Sequence, residues 1–565
     1  MEEVEMASNS INAEERNTRS WKPNDMLYRL KDRPAWLTTI TLAFQNFLML
    51  FSGCMVIPFL FAPALCIEDN LLAQCYLIST VLFVSGISTM IQTAFGVRLP
   101  IAQGGSFGFI VPALSICNLH GACPSRTDNE NNSVDEMEQP EWKKRLLEVQ
   151  GAIIVTSFIQ MFAGVFGLIG LVQLYFTPIV ITPTIGLIGL SLFEKASETA
   201  GLHWGLAAIT MVSVIVFSQY LRNVNIPCNC IPGTTSRFPL FRLFPVLFGI
   251  FFGWFVAFIL TVAGGLPDDP DGYGYSARTD IRLSVLSESP WFRIPYPCQW
   301  GIPTVTVAGV IGMSIATFIT IIESLGDYYA CARFSGAPPV PGHAMNRGIA
   351  MEGVGCLIDG LIGSGSGTTS YSQNIGAIGI TKVASRTVTQ VSAIIMLVLA
   401  VFSKFGALFV CIPSPVIGSA VFVLFSMIVG AGLSNLQFID LNSSRNNFIV
   451  GFSFFLGLAL PNWISKNNGV IDTGVTELDQ AILILLKTNM FVGGFTAFIL
   501  DNTVPGTVEE RGILKWQSGQ TDADTNSLES VSDIYDLPFG MEYIRRSKIC
   551  RYLPFSPTFR GFKHA

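Results

Sequence analysis

Two acidic residues, Glu323 and Asp327, interrupt an apolar stretch of the chain, and their type and spacing suggest chemistry. Because they are four positions apart, they lie on one face of a helix. A carboxylate at the middle of a bilayer costs at least about 2.5–3.5 kcal/mol, so we expect both to line a polar cavity. The alternative is a structural pair beside a cation or a helix end. Arg333 lies toward the cytoplasmic end and is not the expected partner.

A glycine- and serine-rich break at residues 363–376 separates two long apolar stretches. Irregular backbone at membrane depth leaves amides unpaired, so it persists only where protein or a wet cavity surrounds it. In polytopic proteins such a break is typical of a binding site built on a half-helix. A similar short segment in the first half of the chain contains Gly104, Gly105, Ser106 and Phe107.

Three side chains in the two breaks suggest a ligand. Gln373 offers one carbonyl acceptor and two amide donors in a plane, which fits the edge of a planar heterocycle. A helix cap or a helix–helix hydrogen bond would use the same groups. Asn374 is interpreted as a structural residue that orders the broken backbone. Phe107, at the start of the opposite half-helix, can stack on a ring.

Several classes of site are disfavoured by the residues that the sequence lacks. No histidine falls within the breaks or beside Glu323, which argues against a histidine proton relay and a histidine-rich metal centre. The histidines are His120, His203, His343 and His564. The glycine run lacks the Gly-Lys-Ser/Thr ending of a phosphate loop. Because no nucleophile–base set is evident either, the sequence predicts a protein that is not an enzyme and has no cofactor.

Membrane helices must hold these residues. Half of the 565 residues (50%) are hydrophobic and only 13% are charged, with a mean hydropathy of +0.50. An average soluble protein has about 25% charged residues. The net charge of −6 does not indicate nucleic-acid binding. Windows of roughly 20 apolar residues predict about fourteen spans, of which the third and tenth are too short for full helices: 37–65, 72–95, 100–118, 146–168, 170–193, 204–221, 239–263, 304–331, 345–363, 366–380, 386–410, 414–432, 444–461 and 480–500.

Basic residues at both chain ends predict cytoplasmic termini under the positive-inside rule. They are Arg16, Arg19, Lys22, Arg29, Lys31, Arg33, Arg545, Arg546, Lys548 and Arg551. Residues 119–145 and 265–300 are then expected outside, and the sequon at Asn131 predicts a glycoprotein. The predicted location is the plasma membrane. The polar tail is interpreted as flexible.

The twelve cysteines are scattered along the chain. Cys228 and Cys230 are expected to be free thiols in a cytoplasmic loop. Cys117, Cys123 and Cys298 face or border the outer side. A disulfide among these three is left open, because the sequence does not pair them.

The two broken segments occupy matching positions in the two halves of the chain, which is typical of transporters with internal repeats. An odd number of spans in each half means that the halves are inverted. Coincidence is the alternative, because glycines are common in membrane helices. Each break is expected to be extended first and then helical, so that free N–H groups point to the midplane. The predicted organisation is a cytoplasmic segment at 1–35, a first repeat at 36–263, an extracellular loop at 264–303, a second repeat at 304–505 and a cytoplasmic tail at 506–565.

Three motifs resemble those of the nucleobase–ascorbate transporter family, and the third closely follows the family signature. They are Gln103-Gly-Gly-Ser-Phe-Gly-Phe109, Glu323-Ser-Leu-Gly-Asp-Tyr-Tyr-Ala-Cys-Ala-Arg333 and Ser372-Gln-Asn-Ile-Gly-Ala-Ile-Gly-Ile-Thr-Lys-Val-Ala-Ser-Arg386. The resemblance covers residues 36–505. It implies an all-α membrane protein of about fourteen spans in two inverted repeats of about seven. Spans 1–4 and 8–11 would form a core, and spans 5–7 and 12–14 a gate that supplies the contact of a homodimer.

The resemblance also implies roles for single residues. Glu323 matches a glutamate that accepts hydrogen bonds from substrate N–H groups. Gln373 matches the residue that binds the ring, and Phe107 matches the aromatic residue packed on it. Tyr371 and Ser372 would add backbone contacts to the substrate. The residues expected to order the site are Gln103, Ser106, Asn374 and Gly376.

Two positions differ between branches of the family. Bacterial uracil carriers, which use protons, have histidine where this chain has Asp327, whereas sodium-coupled vertebrate members have aspartate. A carboxylate is also a suitable ligand for a hard cation such as sodium. Ascorbate carriers have proline where this chain has Gln373, and proline lacks a side-chain donor.

We therefore predict sodium-coupled, alternating-access uptake of uracil, thymine, guanine, hypoxanthine and xanthine, with urate as a further substrate. A sodium-dependent ascorbate transporter is the alternative within the family. A channel or a non-transporting membrane protein is the alternative outside it.

Overall fold

The computed structural model describes residues 26–121, 123, 140–170, 175–227, 237–467, 469–507, 509–512 and 534–559, and the chain is predominantly helical. The predictions for Asn131, Cys228 and Cys230 lie outside the described residues, as do those for the basic residues before position 26. Twenty-one α-helices and four short strands organise the described part of the chain.

The described first half of the chain has apolar helices that strand β1 interrupts. Its elements are α1 (Trp36–Cys54), α2 (Val56–Ala64), α3 (Leu71–Ala94), β1 (Gln103–Gly105), α4 (Ile110–Leu119), α5 (Glu141–Val165), α6 (Pro178–Ser191), α7 (Phe193–Gly201), α8 (Trp204–Ile215), β2 (Ile226–Pro227), β3 (Arg237–Phe238), α9 (Leu240–Leu243) and α10 (Pro245–Val262).

The described second half of the chain has apolar helices that strand β4 interrupts. After the short α11 (Ser284–Glu288), its elements are α12 (Val307–Ser335), α13 (Gly342–Ile362), β4 (Thr368–Ser370), α14 (Ser372–Thr381), α15 (Arg386–Val401), α16 (Ser403–Val410), α17 (Ser414–Ser434), α18 (Ser444–Lys466), α19 (Thr476–Lys487), α20 (Asn489–Thr503) and α21 (Met541–Arg546).

Within the described residues, eight helices are long and apolar enough to cross a membrane, or nine if the bent pair α19–α20 is one span. Shorter apolar helices run over Phe107–Leu119, Trp204–Tyr220 and Arg386–Val401. The prediction of a helical, multi-pass membrane protein is confirmed. The count of about fourteen spans and their inverted symmetry stay predictions.

The long helices pack in two groups. In the first helix group, α1–α5 and α12–α16, α5 packs along α13, and α15 packs against α1 and α3. In the second helix group, α6–α8, α10 and α17–α20, α17 packs against α6 and α7, and α20 against α6 and α18. The groups meet where α12 packs against α19. The residues of both breaks therefore belong to the first helix group.

Strands β1 and β4 form an antiparallel pair inside the first helix group. Gln103 faces Ser370, Gly104 faces Thr369 and Gly105 faces Thr368. Every residue of both strands is buried. The pairing satisfies backbone groups that would otherwise be unpaired at membrane depth, which explains why both helices can be interrupted here.

The tail is not flexible throughout, contrary to the sequence interpretation. Residues 534–559 lie against the first helix group, and Tyr535 is fully buried in an apolar cluster with residues of α12 and α13. The Tyr535 hydroxyl donates to the carbonyl of Pro338 at 2.6 Å, and Arg347 donates to the carbonyl of Tyr535 at 2.5 Å. The polar composition of the preceding residues concealed this apolar anchor.

A disulfide joins Cys66, just after α2, to Cys123. The sequence interpretation left open a disulfide among Cys117, Cys123 and Cys298, and it did not include Cys66. In the structure Cys117 is a buried free thiol and Cys298 an exposed one. Cys66 was missed because it lies at the end of a predicted span, where nothing in the sequence indicates that the chain returns to Cys123.

Candidate functional site

Both broken segments are extended first and helical afterwards, as predicted. After β1 a short 3-10 turn, Phe107–Phe109, leads into α4, and β4 leads into α14. The Ser106 hydroxyl accepts a hydrogen bond from the N–H of Gly108 at 3.2 Å, so it caps the first half-helix. The Ser106 N–H donates to the carbonyl of Gly367 at 2.8 Å, which ties this cap to the second break.

Asp327 contacts the beginning of the second half-helix. The hydroxyl of Ser372, the first residue of α14, lies 2.8 Å and 3.0 Å from the two carboxylate oxygens of Asp327. Asp327 is buried, with 7% of its surface exposed. A buried carboxylate held by one neutral hydroxyl retains free acceptor capacity, so this position can also hold a cation.

Glu323 lies one helical turn before Asp327 on α12 and is half-buried. No side chain or backbone group in the described part of the chain donates a hydrogen bond to its carboxylate. A carboxylate in an apolar environment is stable only when it is paired or hydrogen-bonded. The carboxylate of Glu323 therefore keeps free acceptor capacity.

Gln373 is half-buried and lines a cavity of about 450 Å³, together with Gly376 one turn later on α14. Its carbonyl oxygen is buried and has no hydrogen-bond partner among the described residues. Leaving such an acceptor unpaired costs about 1–3 kcal/mol. An amide at the wall of a cavity with a free acceptor is the arrangement expected for a ligand-binding group.

Asn374 faces away from the cavity. Its side-chain amide donates to the backbone carbonyl of Asn46 at 2.8 Å and to the side-chain oxygen of Asn46 at 2.6 Å. These bonds fix the first turn of α14 to α1. This contact is consistent with the interpretation of Asn374 as a structural residue.

Two aromatic residues of the breaks have different surroundings. The ring of Phe107 packs edge-on against Phe425 of α17, with 5.2 Å between ring centroids, so it contacts the second helix group. The ring of Tyr371 is buried against the backbone of β1: a Cβ at Gly104 would lie 2.7 Å from it. The N–H of Tyr371 donates to the carbonyl of Ala102 at 3.0 Å. Tyr371 thus packs the two breaks together.

Glu352, on α13, was missed by the sequence reasoning. One of its oxygens accepts hydrogen bonds from Gln103 at 3.2 Å, Ser370 at 2.7 Å and the hydroxyl of Tyr328 at 2.8 Å. Glu352 therefore links both strands to α12. Gln103 also donates to Ser370 at 3.1 Å, so its side chain orders the strand pair. The available signal was a lone glutamate inside a predicted span.

The predicted residues are not all on one surface. Gln373 and Gly376 line the cavity, whereas Phe107, Glu323 and Asp327 are not part of its lining. Asp327 is hydrogen-bonded to α14 through Ser372, and Phe107 contacts the second helix group through the ring of Phe425. Across the described residues, His, Cys, Asp and Glu side chains nowhere form a group of three or more that could hold a metal ion.

A family profile and several curated proteins that are similar to this chain point to one family. A profile of the permease family matches residues 37–466. Solute carrier family 23 member 1 from Mus musculus is 50% identical over 95% of this chain and 90% of its own length. Solute carrier family 23 member 2 from Homo sapiens is 49% identical over 95% and 83%. Nucleobase-ascorbate transporter 1 from Arabidopsis thaliana is 35% identical over 92% and 96%.

Two solved structures have a related arrangement at low sequence identity. The transmembrane domain of the cyanobacterium bicarbonate transporter BicA has a TM-score of 0.43 and 11% identity, over 81% of this chain and 96% of that one. Murine Solute Carrier 26 family member A9, an anion transporter in the inward-facing state, has a TM-score of 0.45 and 12% identity, over 80% and 69%.

The profile match spans more than half of the chain, and the curated relatives align over nearly all of it. Their names agree with the motifs at Gln103, Glu323 and Ser372. The chain therefore belongs to the permease family that contains solute carrier family 23 and the nucleobase–ascorbate transporters.

Proposed function

We propose that this protein is a sodium-coupled symporter that takes up nucleobases by alternating access. The observation that carries the proposal is the side chain of Gln373, whose carbonyl oxygen is buried without a partner while the residue lines a cavity of about 450 Å³. An amide pairs an acceptor with a donor in one plane. A pyrimidine or purine edge presents the complementary pair.

Base binding would use both half-helices. Gln373 pairs with the ring edge, and Glu323 accepts a hydrogen bond from a ring N–H. Phe107 stacks on the ring. In this structure Glu323 and Phe107 lie outside the cavity lining, so the mechanism requires that they approach the ligand when the helix groups move. Tyr371 and Ser372 supply contacts from the beginning of α14.

Sodium is the proposed coupling ion, and Asp327 the residue that holds it. Its carboxylate is buried and is hydrogen-bonded by Ser372 alone among the described residues. A sodium ion beside Asp327 would offset the negative charge of the carboxylate and order the beginning of α14. Gln373 follows Ser372 at this end of the helix. Each positive charge that crosses a membrane at 100 mV contributes about 2.3 kcal/mol, which can concentrate a neutral base.

The two helix groups are the proposed moving parts. The first helix group is the core that carries the site, and the second is the gate and the surface of a homodimer. The contact between Phe107 and Phe425, at 5.2 Å between centroids, then lies between core and gate. The proposal also places the protein in the plasma membrane. It has inverted repeats at 36–263 and 304–505, an outer loop at 264–303, and cytoplasmic ends at 1–35 and 506–565.

Uptake of labelled uracil and labelled ascorbate, with and without sodium, tests the function. We expect saturable, sodium-dependent uracil uptake that unlabelled guanine and hypoxanthine compete away. Sodium-dependent ascorbate uptake without uracil uptake would establish the second candidate, which the name of the Arabidopsis relative also covers. Uptake that neither saturates nor shows competition would indicate a channel.

A further inference from the structure

Two arginines line the same cavity as Gln373. Arg222 lies in the turn after the π-helix Val216–Tyr220, and Arg242 lies in the short helix α9. Both side chains are exposed. They lie beside the second helix group, because α9 and the π-helix both contact α10, whereas Gln373 belongs to the first helix group. The cavity therefore has an amide from one group and two cations beside the other.

The charges of this pair are not compensated within the described chain. Neither arginine forms an ion pair or a hydrogen bond with any described residue. Two guanidinium groups that line one cavity without a partner among the described residues form a site that an anion would stabilise. Phosphate suits guanidinium because it accepts two parallel hydrogen bonds.

The rest of the cavity suits a flat ring system. Apart from the two arginines, Gln373 and Ser52, the described lining residues are apolar or glycine, among them Phe244, Phe334 and Met427. The volume of about 450 Å³ falls in the range of about 300–1,000 Å³ that is usual for sites of whole small ligands. A ligand larger than one base can therefore occupy this space.

We propose that the cavity binds a nucleoside monophosphate from the cytoplasm, with the base at Gln373 and the phosphate at Arg222 and Arg242. This inference rests on the proposed function, because it assumes that Gln373 recognises a base edge. A base delivered to the cytoplasm is consumed by reactions that attach a ribose phosphate to it. The nucleoside monophosphate formed in this way keeps much of the base edge and gains a phosphate. It would therefore compete with the base for the cavity and limit uptake.

GMP is the probe for the test, with guanosine as the control that lacks phosphate. Full-length protein in nanodiscs of neutral lipid is assayed for displacement of labelled guanine and for direct binding of labelled GMP. We expect GMP to displace guanine from the unmodified protein. In the R222Q/R242Q variant the affinity for GMP should fall on the order of 10- to 100-fold, which corresponds to about 1.4–2.8 kcal/mol in total, because the charge-assisted hydrogen bonds to the phosphate are lost. Guanosine and guanine should bind as before.

Arg333→Gln is the matched control, since Arg333 is an exposed arginine near the end of α12 that does not line the cavity. The inference is overturned if GMP fails to bind while guanine binds, or if R333Q weakens GMP as much as R222Q/R242Q. If guanine does not bind to the unmodified protein, the proposed function is rejected instead.

A second experiment adds phosphatidylglycerol to the nanodiscs. It distinguishes a nucleotide from a lipid headgroup as the ligand of the arginine pair. The nucleotide assignment fails if R222Q/R242Q leaves the affinity for GMP unchanged and the anionic lipid stabilises only the protein that carries both arginines.

Discussion

The hydroxyl of Ser372 lies 2.8 Å and 3.0 Å from the two carboxylate oxygens of Asp327. This contact joins the middle of a long helix, α12, to the first residue of a half-helix, α14. The next residue, Gln373, faces the cavity. A change in the charge state or occupancy at Asp327 therefore reaches the proposed base-binding group through one intervening residue, which gives ion and substrate a short physical connection.

Asp327→Asn should weaken sodium coupling, because asparagine has nearly the same size but lacks the charge that would hold the cation. We expect the sodium concentration for half-maximal uracil uptake to rise on the order of 10-fold or more, a loss of about 1.4 kcal/mol per factor of ten. Uptake measured over a sodium series in expressing cells checks this. Glu198→Gln, at an exposed carboxylate that pairs with Lys195, is the control. Unchanged sodium dependence in Asp327→Asn would remove the assignment.

Gln373→Pro should weaken base transport while leaving the helix in place. Gln373 is the second residue of α14, where a backbone N–H has no partner within the helix, so proline is tolerated there. The main loss is then the side-chain amide. We expect the KM for uracil to rise by about 5- to 10-fold, which corresponds to about one hydrogen bond.

Gln373→Ala separates the side-chain effect from any effect of proline on the backbone, and Thr381→Val at the last residue of α14 is the control. Initial uptake rates, normalised to protein at the cell surface, supply the measurement. If both variants at position 373 keep the KM of the unmodified protein, the side-chain amide of Gln373 does not recognise the base.

Residue type and periodicity were sufficient to predict a helical, multi-pass membrane protein and its two breaks. They also singled out Asp327 and Gln373, whose roles stay predictions. These features are local: a charge costs energy in lipid wherever its helix packs, and glycine-rich backbone breaks a helix irrespective of its neighbours. The pairing of Gln103 with Ser370 depends on how distant segments pack, and the sequence placed both breaks near the midplane without predicting a strand pair.

Long-range partners account for what was missed. Glu352 has no second carboxylate three or four positions away to draw attention to it, and its role appears only when Gln103, Ser370 and Tyr328 converge on it. Cys66 similarly gains a meaning only through Cys123. Such contacts join residues that are 24 to 267 positions apart in the chain, and no local pattern specifies them.

Glu352→Ala should destabilise the first helix group, because it removes the acceptor of hydrogen bonds from four buried side chains, those of Gln103, Gln160, Ser370 and Tyr328. Each unsatisfied group costs about 1–3 kcal/mol, so we expect a total loss on the order of 3 kcal/mol or more and little protein at the cell surface. Thermal unfolding of purified protein in detergent measures the change. Glu288→Ala, at an exposed glutamate of α11, should be neutral. A Glu352→Ala protein as stable as Glu288→Ala would show that the strand pair does not need this carboxylate.

Tyr535→Ala should loosen the tail from the base of α12 and α13. The residue is fully buried, and its hydroxyl and carbonyl are both hydrogen-bonded, to Pro338 and Arg347. Removing a large buried aromatic side chain costs about 3–5 kcal/mol, and here the helices that hold Glu323, Asp327 and Glu352 lose a contact at one end. We therefore expect a lower melting temperature and reduced uracil uptake per molecule at the surface.

Tyr543→Ala is the matched control for this prediction, because Tyr543 lies in the same tail but is 79% exposed. It should leave both melting temperature and uptake unchanged. Deleting all residues after position 533 should reproduce the effect of Tyr535→Ala, since the apolar anchor is lost in both. If the deletion and Tyr535→Ala both behave like Tyr543→Ala, the packed tail does not support the helices that carry the site, and the contacts of α12 with other helices, among them α5, α14 and α19, hold it in place.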